Sequence, residues 1–377
     1  MSERIPWVIA LMGILGFALF AAATGPGLTR GAPDFPNYYY PAVSLAEGNS
    51  PYLPIDEALA ADFGPDAAGD VQYAADPPSA LLALSWLSTL SYAGGWWALA
   101  GLATASFWVA IYLSGRTVGL SRSWSAALAG AGLLSTSYRF HFFRNHFESV
   151  VMLLGVLGWV ALRKDKPGWS GVSWALAGAL KAFPGLWVVT AMRRGRLIAA
   201  AAATIVAIGG LTVAVVGWSD VQKFFVDVIP LSQQWYGARG NYSLLSAGYG
   251  FGSPAIGWGL LAVGLVVYAW STTSFNWSAD GIFAQGVVWS LLLSPLNWLN
   301  YLIIAFPVLI LIGSRIEWSR RAHRWLMAFA VVGVALWQPV PARFGTAAHV
   351  TDLVPTLALL GLAAALPGLF AHRSRPA

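Results

Sequence analysis

Cysteine is absent from this 377-residue chain, which excludes disulfides and thiolate-held metals. Charged side chains make up only 10% of it, against roughly 25% in an ordinary soluble domain. A P-loop, a GxGxxG dinucleotide fingerprint and a GxSxG nucleophile elbow are all missing, so nucleotide binding and soluble-type hydrolysis have no footing. Apolar segments, by contrast, recur along nearly the whole length, with 57% hydrophobic residues and a mean hydropathy of +0.63. These runs are continuous and do not alternate as barrel strands do. They predict an all-α, polytopic membrane protein forming one integral-membrane domain over residues 1–377.

The net charge of +6 does not imply a nucleic-acid partner. Basic residues cluster in short loops, at Arg163-Lys164, Arg193-Arg194-Gly195-Arg196, Arg315 to Arg324, and His372 to Arg375, and such loops stay cytoplasmic. Candidate spans fall near residues 7–24, 95–115, 123–138, 149–162, 197–217, 255–271, 281–294, 299–313, 325–338 and 353–370. The first is read as a retained helix rather than a cleaved signal peptide. Residues 78–92 are short of the roughly 20 that a span needs and are expected to lie as a juxtamembrane helix in the outer interface. Residues 168–192 sit between two basic clusters, so they are expected to enter and return as a hairpin. Its turn falls at Leu180-Lys181-Ala182-Phe183-Pro184-Gly185, where Pro and Gly break helices. About twelve crossings result, with both termini inside. No internal repeat is visible, unlike many transporters.

One loop departs from this economy of charge. Between Gly25 and Pro77 lie Asp34, Glu47, Asp56, Glu57, Asp62, Asp66, Asp70 and Asp76, half of the chain's 16 acids, with Arg30 as the single base. Loops poor in Lys and Arg are translocated, so residues 25–94 are expected as a first external loop carrying juxtamembrane helices. Residues 218–253 are expected as another external loop.

The other outer connections hold a mixture suited to a charged lipid substrate. Tyr138 to Glu148 packs Arg139, His141, Arg144, His146 and Glu148 into one short link, Lys181 sits at the hairpin tip, and Arg239 and Arg343 follow. Arg139, Arg144 and Lys181 suit a lipid phosphate or pyrophosphate; the alternative for the two arginines is snorkelling to headgroups. An ammonium at membrane depth costs roughly 2.5–3.5 kcal/mol on insertion scales, which favours a function for Lys181. His141, His146 and Glu148 lack zincin spacing and are expected to hydrogen-bond rather than hold a metal. Tyr38-Tyr39-Tyr40, Trp235-Tyr236 and Asn297-Trp298 combine aromatic faces with polar neighbours, either as interfacial belts or as surfaces for a sugar.

Together these pieces resemble the GT-C superfamily of integral-membrane glycosyltransferases, which use polyprenyl-phosphate sugars. The closest resemblance is to the polyprenol-phosphate-mannose-dependent mannosyltransferases, including those of phosphatidylinositol mannoside synthesis. Four stretches carry it in order: Pro33-Asp34-Phe35-Pro36-Asn37-Tyr38-Tyr39 with Glu47-Gly48-Asn49-Ser50-Pro51-Tyr52, then Asp76-Pro77-Pro78, Gly178-Ala179-Leu180-Lys181-Ala182-Phe183-Pro184, and Leu291-Leu292-Leu293-Ser294-Pro295-Leu296-Asn297-Trp298. Two stretches depart from it: Asn145-His146-Phe147-Glu148 stands where relatives often carry Gly-Gln-x-Asn, and Asn300-Tyr301 where some carry paired histidines.

The resemblance implies that Asp34 is the catalytic base of an inverting transfer, with Lys181, Arg139 and Arg144 on the donor phosphate. Tyr38, Tyr39, His141, Asn145, His146, Glu148, Asn297, Trp298, Asn300 and Tyr301 are expected to face substrates. No cofactor or metal is expected. The partners implied are a polyprenyl-phosphate sugar donor, a lipid or glycan acceptor and membrane lipids, at the outer face of a bacterial cytoplasmic membrane. The rival reading is a lipid transporter or flippase, which would place relay charges within spans.

Overall fold

The computed structural model describes residues 4–29, 34–63, 74–339 and 351–373; Arg30, Asp66, Asp70 and Arg343 lie outside them. The described residues are all-α apart from one short strand pair. Helix α1 (Arg4–Leu28) is apolar on every side, as a helix surrounded by lipid and other helices must be. After it come α2 (Pro36–Ala46), α3 (Asp56–Phe63), α4 (Pro78–Ala83) and a 3₁₀ turn at Ser85–Thr89, then the long α5 (Tyr92–Thr117). Residues 78–92 thus begin with two short helical pieces, each far shorter than the roughly 20 residues a span needs.

Next are α6 (Arg122–Leu133), α7 (Thr136–Arg144), α8 (Glu148–Arg163), α9 (Pro167–Leu180), α10 (Gly185–Thr190) and α11 (Gly195–Val216). Short helices α12 (Trp218–Lys223), α13 (Ile229–Leu231) and α14 (Leu244–Gly250) occupy the second loop. The remainder is α15 (Pro254–Ser274), α16 (Ala279–Leu293), a 3₁₀ stretch at Leu299–Ala305 running into α17 (Phe306–Gly313), α18 (Arg321–Val331) and α19 (Val354–Phe370). Among the described residues four helices, α1, α5, α11 and α15, are each long and apolar enough to cross a membrane.

Three expected spans are not continuous helices. The 123–138 segment breaks between α6 and α7, where Ser135 turns extended and accepts from the Tyr138 amide at 3.2 Å, capping a new helix; serine is a preferred cap residue. The link expected between spans at 138–148 is therefore mostly helical. The 299–313 segment begins as 3₁₀ helix, and 325–338 ends in a π-turn at Val332–Leu336.

The hairpin at 168–192 is present. In one unbroken helix, Trp174 and Trp187 would stand about 20 Å apart, yet their rings are 6.5 Å apart. The chain doubles back at Lys181 to Pro184, between α9 and α10. Both indoles lie against glycines of α8: Trp174 donates to the Gly155 carbonyl at 3.0 Å and also covers Gly158, while Trp187 covers Gly155. Close approach of this kind drives helix association where lipid removes the hydrophobic incentive. Helix α1 crosses α6 similarly, with Gly13 against the backbone of Gly130.

A cluster of paired charges marks each end of α8. At its C-terminus, Asp280 is buried; it accepts from Trp159 Nε1 at 2.9 Å and pairs with Arg315 at 2.9 Å and Arg163 at 3.5 Å. Beside it the strands β1 (Phe275–Trp277) and β2 (Ala371–Arg373) pair antiparallel, with Asn276 opposite His372, joining the ends of α15 and α19. The N-terminus of α8, about 22 Å away along the helix, carries Glu148 and the second charged cluster.

Candidate active site

Asp34 stands two residues before α2, whose first residue Pro36 has the backbone angle that a helix start requires. Successive residues on a helix point about 100° apart, and this divides the three tyrosines. Tyr39 and Tyr40 turn into the loop's own aromatic core with Phe35 and Tyr92; Tyr39 donates to the Leu90 carbonyl at 3.0 Å and Tyr40 to Asp62 at 2.7 Å. Tyr38 alone turns to the other side, its hydroxyl 2.9 Å from His146 Nδ1.

Two cations hold the Asp34 carboxylate. His146 Nε2 donates to Oδ2 at 2.6 Å, and Arg144 Nη1 donates to Oδ2 and Oδ1 at 2.8 and 3.0 Å. Burial works against ionisation of Asp34, but the His146 hydrogen bond and charge, followed by Arg144, outweigh it and hold the carboxyl below its usual range. The side chain keeps 14% exposure, which leaves part of it accessible.

Behind His146 the charges alternate. Its Nδ1 lies 3.0 Å from Glu148 Oε1, and that oxygen lies 3.4 Å from Lys181 Nζ. Lys181 in turn reaches Asp76 at 2.5 Å. Desolvation disfavours the charged imidazole, yet Glu148 and Asp34 on its two sides push the His146 pKa up to about 9. The row Asp76, Lys181, Glu148, His146, Asp34, Arg144 reads minus, plus, minus, plus, minus, plus and sums to zero. Such a chain avoids the several kcal/mol per ion that an uncompensated buried charge costs. Its members satisfy one another in sequence instead of converging on a point, and no cluster of three or more metal-ligand side chains forms among the described residues.

Local backbone explains the spacing of Arg144, His146 and Glu148. Asn145 ends α7 in the left-handed conformation, with φ of 55°, and is locked by donating from Nδ2 to the Trp96 carbonyl at 2.9 Å. The chain then turns directly into α8, so Arg144 and His146 both reach Asp34 while Glu148 stands behind His146.

Several predicted site residues lie elsewhere. Arg139 is five positions from Arg144, about 140° around α7; it is exposed, with its guanidinium 5.9 Å from the Phe20 ring centre. Tyr39 belongs to the loop core. His141 is fully buried behind the site, 3.5 Å from Glu148 Oε2 and 3.2 Å from Ser149 Oγ. Asn145 is the helix cap just described. Lys181 is 7% exposed and committed to two carboxylates, with the rings of Phe147 and Tyr301 at 4.8 and 5.4 Å. Tyr301 stacks on Phe183, and Asn297 and Asn300 are buried near it.

A cleft of about 270 Å³ lies on the far side of Arg144, lined by Phe140, Arg144, Arg239, Gly240, Tyr242, Trp298, Leu299, Pro339 and Asp352. Trp298 is thus at a cavity wall. Asp76 and Arg239 were missing from the predicted set. In the sequence Asp76 stands out only within Asp76-Pro77-Pro78, and nothing local reveals that it meets Lys181, 105 residues away.

A bundle of apolar helices with a buried, charge-compensated cluster at one end defines an integral-membrane protein built around that cluster. The family model for glycosyltransferase family 87 matches residues 75–339, and the chain belongs to that family, a GT-C family of integral-membrane glycosyltransferases. The matched stretch includes Asp76, Arg144, His146, Glu148, Lys181 and Trp298, and begins after Asp34. No curated protein and no solved structure matches the chain.

Proposed function

We propose that this glycosyltransferase is inverting, with Asp34 as general base and a polyprenyl-phosphate sugar as donor. Mannose is the sugar indicated by the sequence resemblance, and the acceptor is a lipid-linked or glycan hydroxyl. The proposed site faces outward from a bacterial cytoplasmic membrane crossed about twelve times, the hairpin counting twice. The observation that carries this reading is the grip on Asp34. An ionised, partly exposed carboxylate is fixed by two cations, one of which, Arg144, also lines a cleft, and a base must be ionised and within hydrogen-bond reach of the proton it takes.

In the proposed reaction the acceptor oxygen attacks the anomeric carbon while its proton passes to Asp34. The bond from that carbon to the phosphate oxygen breaks, and a prenyl phosphate leaves. One unit of negative charge disappears from Asp34 as one appears on the phosphate. Fixed cations aimed at developing charge stabilise such a step without reorganising. Arg144, in contact with Asp34 and lining the cleft, is the group placed for this. His146, Glu148 and Lys181 act through Asp34 as positioning residues, each holding the next.

Transfer of labelled sugar from prenyl-phosphate mannose, arabinose and glucose by the reconstituted protein tests the reading. Turnover with one donor and its loss in Asp34→Asn are expected. Failure with every donor, alongside measurable lipid translocation, would favour a flippase instead.

A further inference from the structure

We infer that the cleft between Arg144 and Arg239 is the seat of the donor's phosphodiester, with Asp352 as the anion that holds the empty site in order. This inference rests on the transferase reading and names the subsite for its leaving group. It moves the phosphate away from Lys181 and Arg139, the cations that the sequence alone favoured.

Arg144 has hydrogen-bond capacity to spare. A guanidinium carries five N–H donors, and Asp34 engages a single nitrogen, Nη1. Nε is buried with no hydrogen-bond partner, although buried donors are nearly always paired. The side chain as a whole is 36% exposed and lines the cleft. Arginine forms paired hydrogen bonds to phosphate oxygens, so Arg144 can keep Asp34 on one nitrogen while it accepts a phosphate with the rest.

The second cation comes from a rigid wall. Arg239 pairs through Nε with Asp352 at 3.2 Å. Its loop is tied to the Pro295–Trp298 segment by Asn241, which donates to the Pro295 carbonyl at 2.9 Å and accepts from the Asn297 amide at 2.9 Å. The Tyr242 amide donates to the Asn297 carbonyl at 2.7 Å. Gly240 has φ of +83°, and a Cβ there would point at the Trp298 ring. Arg239 and Trp298 thus face the cleft from two strapped segments. Lys181 does not line this cleft; it is held by Asp76 and Glu148.

Charge also balances in this arrangement. A phosphodiester entering between Arg144 and Arg239 competes with Asp352 for Arg239. On bond cleavage the phosphate becomes dianionic while Asp34 takes the acceptor's proton, so Arg144 exchanges a charged partner on one side for a more charged one on the other.

Equilibrium binding of radiolabelled farnesyl phosphate to the full-length protein in detergent tests this, with farnesol as the phosphate-free control. Arg239→Gln is expected to weaken farnesyl phosphate binding tenfold or more. Asp352→Asn removes the competing anion and is expected to tighten it several-fold. Arg193→Gln, which removes a cation at the other end of the bundle, is expected to leave it unchanged. Opposite signs for Arg239→Gln and Asp352→Asn separate a ligand pocket from a merely structural ion pair, for which both variants would lose binding alike. That equal loss, wild-type affinity in Arg239→Gln, or farnesol binding as tightly as its phosphate would each overturn the inference. Arg239-dependent binding without sugar transfer from any donor would sink the transferase mechanism and spare the pocket. Transfer with an unchanged donor KM in Arg239→Gln would do the reverse.

Discussion

Replacing Lys181 with methionine keeps most of the side-chain volume and removes a buried ammonium, and the structure sets what that should cost. Glu148 would retain His146 at 3.0 Å and His141 at 3.5 Å. Asp76 would retain no cation, since Lys181 is its only ion-pair partner among the described residues. Breaking a buried pair from one side costs about 3–5 kcal/mol, and here the loss concentrates on Asp76. Adding Asp76→Asn should therefore restore a large part of the stability, a coupling that a double-mutant cycle measures directly. Thermal unfolding of the purified protein in detergent is the assay, with donor KM measured on the same samples. A role on the donor phosphate predicts the opposite pattern, a raised KM with little change in unfolding. Lys181→Met melting with the wild type, or a double variant no more stable than the single one, would refute the ion-pair account.

Two further outcomes follow from the geometry. The folded pKa of His146 is raised from 6.5 to about 9, so its contribution to stability is fully present below pH 6.5 and is lost as pH rises through about 9. On the order of 3 kcal/mol is at stake, at 1.36 kcal/mol per pKa unit, and unfolding midpoints recorded from pH 6 to 10 should fall over the upper part of that range. His146→Gln should abolish the step, and a step that persists in the variant would assign it to another group. Gly158→Ala places a Cβ 2.2 Å from Trp174 Nε1, so the hairpin should be pushed from α8 at a cost of about 1–3 kcal/mol; unaltered unfolding would mean that the contact yields freely.

What the sequence carried is largely what the membrane dictates. Long apolar runs imposed helices, basic clusters on both sides of 168–192 required the chain to return, and Lys181 does sit at the resulting bend. Asp34 was visible as an acid next to Pro36 and aromatics. The breaks inside spans were hidden because hydropathy stays high across Leu134-Ser135, where only a serine cap marks the new helix. That helix explains why Arg139 and Arg144, neighbours in sequence, point to different faces. Partnerships were hidden for another reason: Asp76 with Lys181 and Asp34 with His146 join residues more than 100 positions apart, and no local pattern encodes such a meeting. The cleft was hidden likewise, because its walls come from α7, the 239–242 loop and the 298–299 turn.

The most direct test of the central claim is the rate of sugar transfer by Asp34→Asn in proteoliposomes, beside its unfolding midpoint and its affinity for farnesyl phosphate. Loss of a general base predicts a fall in kcat of about 10²–10⁴-fold, with the protein folded and prenyl phosphate still bound. Transfer within a few-fold of wild type by a folded Asp34→Asn protein would contradict the account.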